Sequence, residues 1–240
     1  MSEERDVEVM SLGYRIMHAV NLILFASLMV SGAMLYALEA TSWFAYGIGQ
    51  PLTSLLGSNT DPVVAGVQWA RTWHRVVGIA WGVMITFYAV YTLLFSRVSV
   101  FDGLRKPFRQ QLREAKALMK MYLLGEPLPE DVKRGIGRHN VLVGYLFILL
   151  LVAVVLVSIS GVLLVYAEPL ALSTGAIRLL YLLHDIGFAL SILFFLLHTF
   201  AVLMPQNRPL LVAMFSSGRI PVRWLREHMP LYLREGRHEA

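Results

Sequence analysis

The sequence predicts an all-α integral-membrane protein, a single domain over 1–240 built as a bundle of four transmembrane helices, and three observations predict it. Of the 240 residues, 57% are hydrophobic and only 15% charged, against about 25% charged in an average soluble domain. Four apolar stretches, 16–38, 76–96, 141–167 and 179–204, reach the roughly 20 residues that a helix needs to cross a bilayer. Lys and Arg fall in alternate connections: ten in 97–138 and six after Pro205, against one each in 39–71 and 168–178. Because basic residues near span ends concentrate on the cytoplasmic side, both termini and the middle connection are expected inside and the two charge-poor links outside.

Each element follows in chain order. The start, "MSEERDVEVMSLGYR", is polar and acidic, unlike the basic opening of a secretory signal, so the first span, expected at about 14–38, stays in the mature protein. The first outer link holds "TSWFAYGIGQPLTSLLGSNTDP", whose Trp43, Phe44 and Tyr46 suit the headgroup region and suggest a re-entrant or interfacial helix. The second span is expected at about 72–96. The inner connection carries "RQQLREAKALMKMYLLG", with Leu112, Ala115, Met119, Tyr122 and Leu123 at helical spacing opposite Lys and Arg. That pattern predicts a cytoplasmic amphipathic helix over about 107–124, either resting on lipid or docking a partner. "GEPLPED" then breaks the chain before spans expected at about 138–167 and 176–204 and a cytoplasmic tail at 205–240. No internal repeat and no soluble domain is expected.

Composition also excludes chemistry. No cysteine occurs, which removes disulfides, thiolate-bound zinc, iron–sulfur clusters and covalently attached haem. The net charge of +5 is accounted for by topology, so no nucleic-acid partner is expected.

Four of the seven histidines, His18, His74, His184 and His198, lie in or at the spans, where polar groups are costly and usually functional. With helix 1 running outward and helices 2 and 4 inward, His18 lies near the inner face and His74, at the start of helix 2, near the outer face. His184 and His198 are fourteen residues apart, a rise of about 21 Å at 1.5 Å per residue, and their directions agree to within roughly 40°. His184 therefore matches the depth of His74, and His198 that of His18. A lone histidine could equally hydrogen-bond a neighbouring helix; two opposed pairs at two depths suit two bis-imidazole haems. Neutral imidazole is a good axial ligand for iron, and filling both axial positions leaves one-electron transfer as the chemistry.

Neighbouring residues admit two readings each. Gly78 and Gly187 either admit a macrocycle or serve helix packing. Arg15, Arg71 and Arg75 either pair with haem propionates or snorkel to the interface. Asp185 is a partner for the adjacent ligand or a docking residue. His139 in "GIGRHNVLVG", with Arg138 and Asn140, either lines a quinone headgroup pocket or forms a polar helix start. His228 and His238 are expected to be solvated in the tail.

"YRIMHAVNLILFASLMVSG", "WHRVVG" and "LLHDIGFALSILFFLLHTF", together with the tail "AMFSSGRIPVRWLREHMPLYLREG", resemble the gamma subunit of membrane-bound respiratory formate dehydrogenase. That di-haem cytochrome b also serves related molybdenum or tungsten oxidoreductases. The resemblance implies two haem b groups, the outer held by His74 and His184 and the inner by His18 and His198. It further implies a quinone, menaquinone or ubiquinone, bound on the cytoplasmic side near the haem of His198. An iron–sulfur subunit and a molybdopterin-type catalytic subunit would be partners on the outer face, and a higher oligomer of the complex is possible. It places the chain in the prokaryotic cytoplasmic (inner) membrane as an electron-transfer subunit that reduces quinone and leaves the primary substrate to its partner. The sequence departs from the family at Leu142 and Val143, where Gly and Gln are expected, and the outer link is longer. Rivals are the cytochrome b anchor of a nickel–iron hydrogenase, a free-standing ascorbate or ferric-chelate reductase, and a histidine-lined metal or proton transporter or scaffold.

Overall fold

The computed structural model describes residues 6–95 and 100–234, apart from the side chains of 89 and 91–95. After a short strand β1 (Asp6–Glu8) come helices α1 (Leu12–Tyr36), α2 (Leu38–Leu56) and α3 (Pro62–Phe95). A 3-10 turn at Asp102–Arg105 leads to α4 (Phe108–Leu124), the single turn α5 (Glu130–Lys133), α6 (Val141–Val165) and α7 (Thr174–Leu203). The tail forms α8 (Arg208–Phe215), strand β2 (Arg219–Pro221), α9 (Val222–His228) and α10 (Pro230–Arg234).

α1, α6 and α7 are long and apolar enough to cross a membrane. The expected second span, 72–96, falls on α3, which begins at Pro62, ten residues early; residue 96 and its three successors lie outside the described residues. The early start is local chemistry. Asp61 Oδ1 accepts the Val63 and Val64 amides at 2.9 and 3.1 Å, and Pro62 sits at the first helical position, where its missing N–H costs nothing. The outer helix expected in the first link is α2, which ends at Gly57 in the left-handed region, φ 60°, where glycine pays no Cβ penalty.

The chain divides into two compact units. The first holds Met1–Met17, Leu94–Val154 and Ala189–Ala240. In it, β1 pairs antiparallel with β2, with Val7 opposite Ile220, and Val9, Ala213, Ile220, Leu225 and Tyr232 close a small core. The tail, expected as a plain cytoplasmic extension, is thus folded against the N-terminal residues; strands of three residues are too short to leave a period-two signal. A second cluster joins Leu118, Val132, Ile136 and Val141. The apolar positions expected on one face of α4 are divided: Ala115 and Tyr122 pack on this cluster, while Phe108, Leu112, Met119 and Leu123 form an exposed stripe. Buried Glu114 on α4 pairs with Lys106 and accepts the Val141 amide at 2.9 Å, fixing the start of α6.

The second unit holds His18–Leu93 and Val155–Phe188. α2 folds back on the early turns of α3, where Met34, Ala45 and Ala70 are buried together. Glycines make that approach possible: a Cβ on Gly49 would fall 1.7 Å from the Pro62 carbonyl oxygen, and one on Gly66 would fall 1.9 Å from that of Ala45. Further along, Trp81 Nε1 donates to Asn21 Oδ1 at 2.8 Å and Trp73 Nε1 to Ser27 Oγ at 2.7 Å, pinning α3 to α1.

Candidate functional site

Within the second unit the structure brings together two residues that lie 110 positions apart in the sequence, His74 on α3 and His184 on α7. Both are half-buried, and their imidazole centroids stand 6.1 Å apart with the rings at 71°. His74 lies twelve residues into α3 rather than at its start, because the helix begins ten residues before the expected span.

Each ring is engaged at Nδ1 by a serine from another helix. His74 meets Ser31 Oγ on α1 at 2.8 Å, and His184 meets Ser160 Oγ on α6 at 3.0 Å. Ser31 is 3% exposed and Ser160 1%, so neither hydroxyl has water as an alternative partner. Both also bond back to a carbonyl four residues earlier, Ser31 to Ser27 at 2.8 Å and Ser160 to Leu156 at 2.5 Å. A glycine follows each serine. A Cβ on Gly32 would lie 3.5 Å from His74 Cε1 and 3.4 Å from the Phe188 ring, and one on Gly161 would lie 3.2 Å from His184 Cε1. The Ser-Gly dipeptide therefore sets a hydroxyl at the ring nitrogen, and at Gly161 it also keeps the helix surface clear of the ring edge. Sequence reasoning missed these four residues. The available signal was the repetition of "VSGAML" at 30–35 and "ISGVLL" at 159–164 in two apolar helices.

The remaining expected residues sort as follows. Gly187 serves helix packing, since a Cβ there would meet Val157 Cγ1 at 2.7 Å and the Val157 nitrogen at 3.0 Å on α6. Gly78 makes only an ordinary approach to Leu28, 3.8 Å. The Nδ1 partner of His184 is Ser160, not neighbouring Asp185. His18, on α1, belongs to the second unit and His198, on α7, to the first. Both are half-buried, and His198 stacks on Phe194 at 5.5 Å. Arg15 donates to the Ser216 carbonyl and so ties the start of α1 to the turn before β2; Arg71 and Arg75 are exposed. His228 is not simply solvated: it stacks on Trp224 at 4.4 Å, with its Nδ1 3.0 Å from the Trp224 carbonyl. His238 lies outside the described residues.

The first unit contains a cavity of about 270 Å³ lined by Arg105, Lys106, Arg138, His139, Leu231 and Tyr232, among others. Arg138 also donates to the Val9 carbonyl at 2.9 Å and lies over the Tyr232 ring. Asn140 is not on this lining; its Oδ1 accepts the Val143 amide at 3.1 Å and caps α6. Of the three residues expected around a quinone headgroup, two line this cavity and the third starts the helix that carries on from them.

A family model for prokaryotic cytochrome b561 matches residues 9–217. The chain belongs to that family. This cytochrome b561 is accordingly a membrane electron-transfer protein that binds haem b, and its apolar helices fit the inner membrane of a prokaryote. Comparison with curated protein sequences returns no match.

The donor set of the cytochrome b561 fits such a group. A metal–imidazole bond is about 2 Å and the ring centroid lies about 1 Å beyond the nitrogen, so two imidazoles sharing one iron have centroids ~6 Å apart. His74 and His184 stand at that separation. With Nδ1 of each ring occupied by a serine, Nε2 is the nitrogen left for a metal, and the outer partner on the other ring nitrogen is the usual companion of a ligating histidine.

Proposed function

We propose that this cytochrome b561 is the membrane subunit of a respiratory oxidoreductase complex, carrying electrons from a donor at the outer face to a quinone near the cytoplasmic face. The observation that carries the proposal is the His74–His184 pair, two imidazoles 6.1 Å apart with the same nitrogen turned to a serine on each. His74 and His184 hold one haem b at the outer level, and His18 and His198 hold a second at the inner level. Bound at both, haem b supplies two one-electron carriers stacked across the bilayer. The fourth transmembrane helix of the bundle is the inner part of α3, from Val76 onward. Arg15 stands near the start of α1 and Arg75 directly follows His74 on α3, and guanidinium suits propionate carboxylates.

On the inner side the chain's own residues offer a quinone site. Arg138 and His139 line the cavity beside Lys106 and Tyr232, giving hydrogen bonds to a quinone oxygen and a route for protons from the cytoplasm. Asn140 sets their position by capping α6. The donor is an iron–sulfur subunit attached to a molybdopterin-type catalytic subunit, as in formate dehydrogenase. Support for that type is the likeness of the tail "AMFSSGRIPVRWLREHMPLYLREG" to the formate dehydrogenase subunit, a tail that here folds into the core around Ile220, Leu225 and Tyr232.

The test is direct. Purified protein is expected to show a reduced-minus-oxidised b-type spectrum with two haems per chain. His184→Ala should remove one haem and His198→Ala the other; if either variant kept both with unaltered spectra, the ligand assignment would be wrong. A colourless wild-type protein would end the reading in favour of a histidine-lined transporter.

A further inference from the structure

We propose that Ser31 and Ser160 are positioning residues that lock His74 and His184 in the tautomer with hydrogen on Nδ1, presenting a bare Nε2 to iron and holding the outer haem at a lowered potential. The inference rests on the bis-histidine reading and concerns a feature that the reading does not require, the two serine hydroxyls behind the ligands.

The argument is a count of hydrogens. A serine hydroxyl has one hydrogen to donate and two lone pairs. Ser31 directs its hydrogen to the Ser27 carbonyl at 2.8 Å, and Ser160 directs its own to Leu156 at 2.5 Å; a carbonyl only accepts. With that hydrogen committed, each hydroxyl can meet Nδ1 only as an acceptor. At 2.8 Å for His74 and 3.0 Å for His184, Nδ1 must therefore carry the proton. The neutral imidazole then has its lone pair on Nε2, the form a metal ligand needs. In the opposite tautomer the hydroxyl would have to turn its one hydrogen away from the carbonyl and toward a bare Nδ1, giving up the bond it makes to Ser27 or Leu156. A glycine follows each serine: a Cβ on Gly161 would crowd His184 Cε1 at 3.2 Å, whereas one on Gly32 would make ordinary contact with His74 Cε1 at 3.5 Å.

Accepting the Nδ1 hydrogen also makes the imidazole a stronger donor, which favours ferric over ferrous iron. Removing the hydroxyl should therefore raise the potential of the haem on that histidine alone. Ser31 is the cleaner probe, since its Oγ stands 2.8 Å from both the Ser27 carbonyl and His74 Nδ1.

The experiment is a potentiometric titration of the purified, haem-loaded full chain with haem content measured in parallel. In Ser31→Ala, content is expected to stay at the wild-type value while one of the two midpoints moves upward and the other does not; Ser31→Thr, which keeps a hydroxyl, should restore the wild-type pair. Wild-type content with both midpoints unchanged in Ser31→Ala overturns the proposal. Should Ser31→Ala lose haem, Ser31→Thr decides: wild-type content and midpoints support the role of the hydroxyl, and equal loss overturns it. A His74→Ala protein that kept both haems would remove the bis-histidine reading itself, a result distinguishable from either outcome at Ser31.

Discussion

Gly161 lies so close to His184 that a Cβ built on it would stand 3.2 Å from the imidazole Cε1. Contacts at that distance require one side to give way, and the ring is held at Nδ1 by Ser160 of the same helix. A larger side chain must therefore turn the imidazole. Gly161→Val is expected to lower haem content from two per chain to one, measured by haemochrome absorbance, with overall thermal stability little changed. Gly187→Ala offers the contrast: its Cβ would strike α6 backbone at Val157, so the expected effect is a lower melting temperature rather than selective loss of one haem.

Glu114 makes a second, structural prediction. Its carboxylate is 4% exposed, pairs with Lys106 and accepts the Val141 amide. Removing one partner of a buried pair leaves the other uncompensated, at a cost of about 3 kcal/mol. Glu114→Ala should lower the thermal midpoint of the detergent-solubilised protein and raise protease sensitivity near residue 140, with haem content preserved. An unchanged midpoint would show that solvent, not Glu114, serves Lys106 and the α6 start.

The cavity beside Arg138 separates two roles for adjacent residues. His139 lines it, whereas Asn140 caps α6. His139→Ala is expected to slow quinone reduction at least tenfold in the reconstituted complex while leaving both haem spectra intact. Asn140→Ala should act on stability, by about 1 kcal/mol as for other lost caps, and Asn140→Ser should recover most of it. Equal quinone kinetics for His139→Ala and wild type would dismiss the cavity as the quinone site.

Sequence alone determined the helical class, the limits of α1, α6 and α7 to within a few residues and the helices α2 and α4, and its depth argument put His74 and His184 together as the structure does. These follow from one-dimensional regularities: apolar length against bilayer thickness, helical period, alternating basic connections and the fixed rise per residue. Only the tertiary structure decided what surrounds the histidines. Ser31 and Ser160 read as minor polar interruptions until α1 and α6 set them against His74 and His184. Gly187 reads as room for a macrocycle until α6 fills the space beside it. The tail reads as a charged extension until Val7 pairs with Ile220. In each case the physical reason is the same: a hydrogen bond or a close contact between residues far apart in sequence depends on which helix faces which, and periodicity along one helix carries no record of its neighbour.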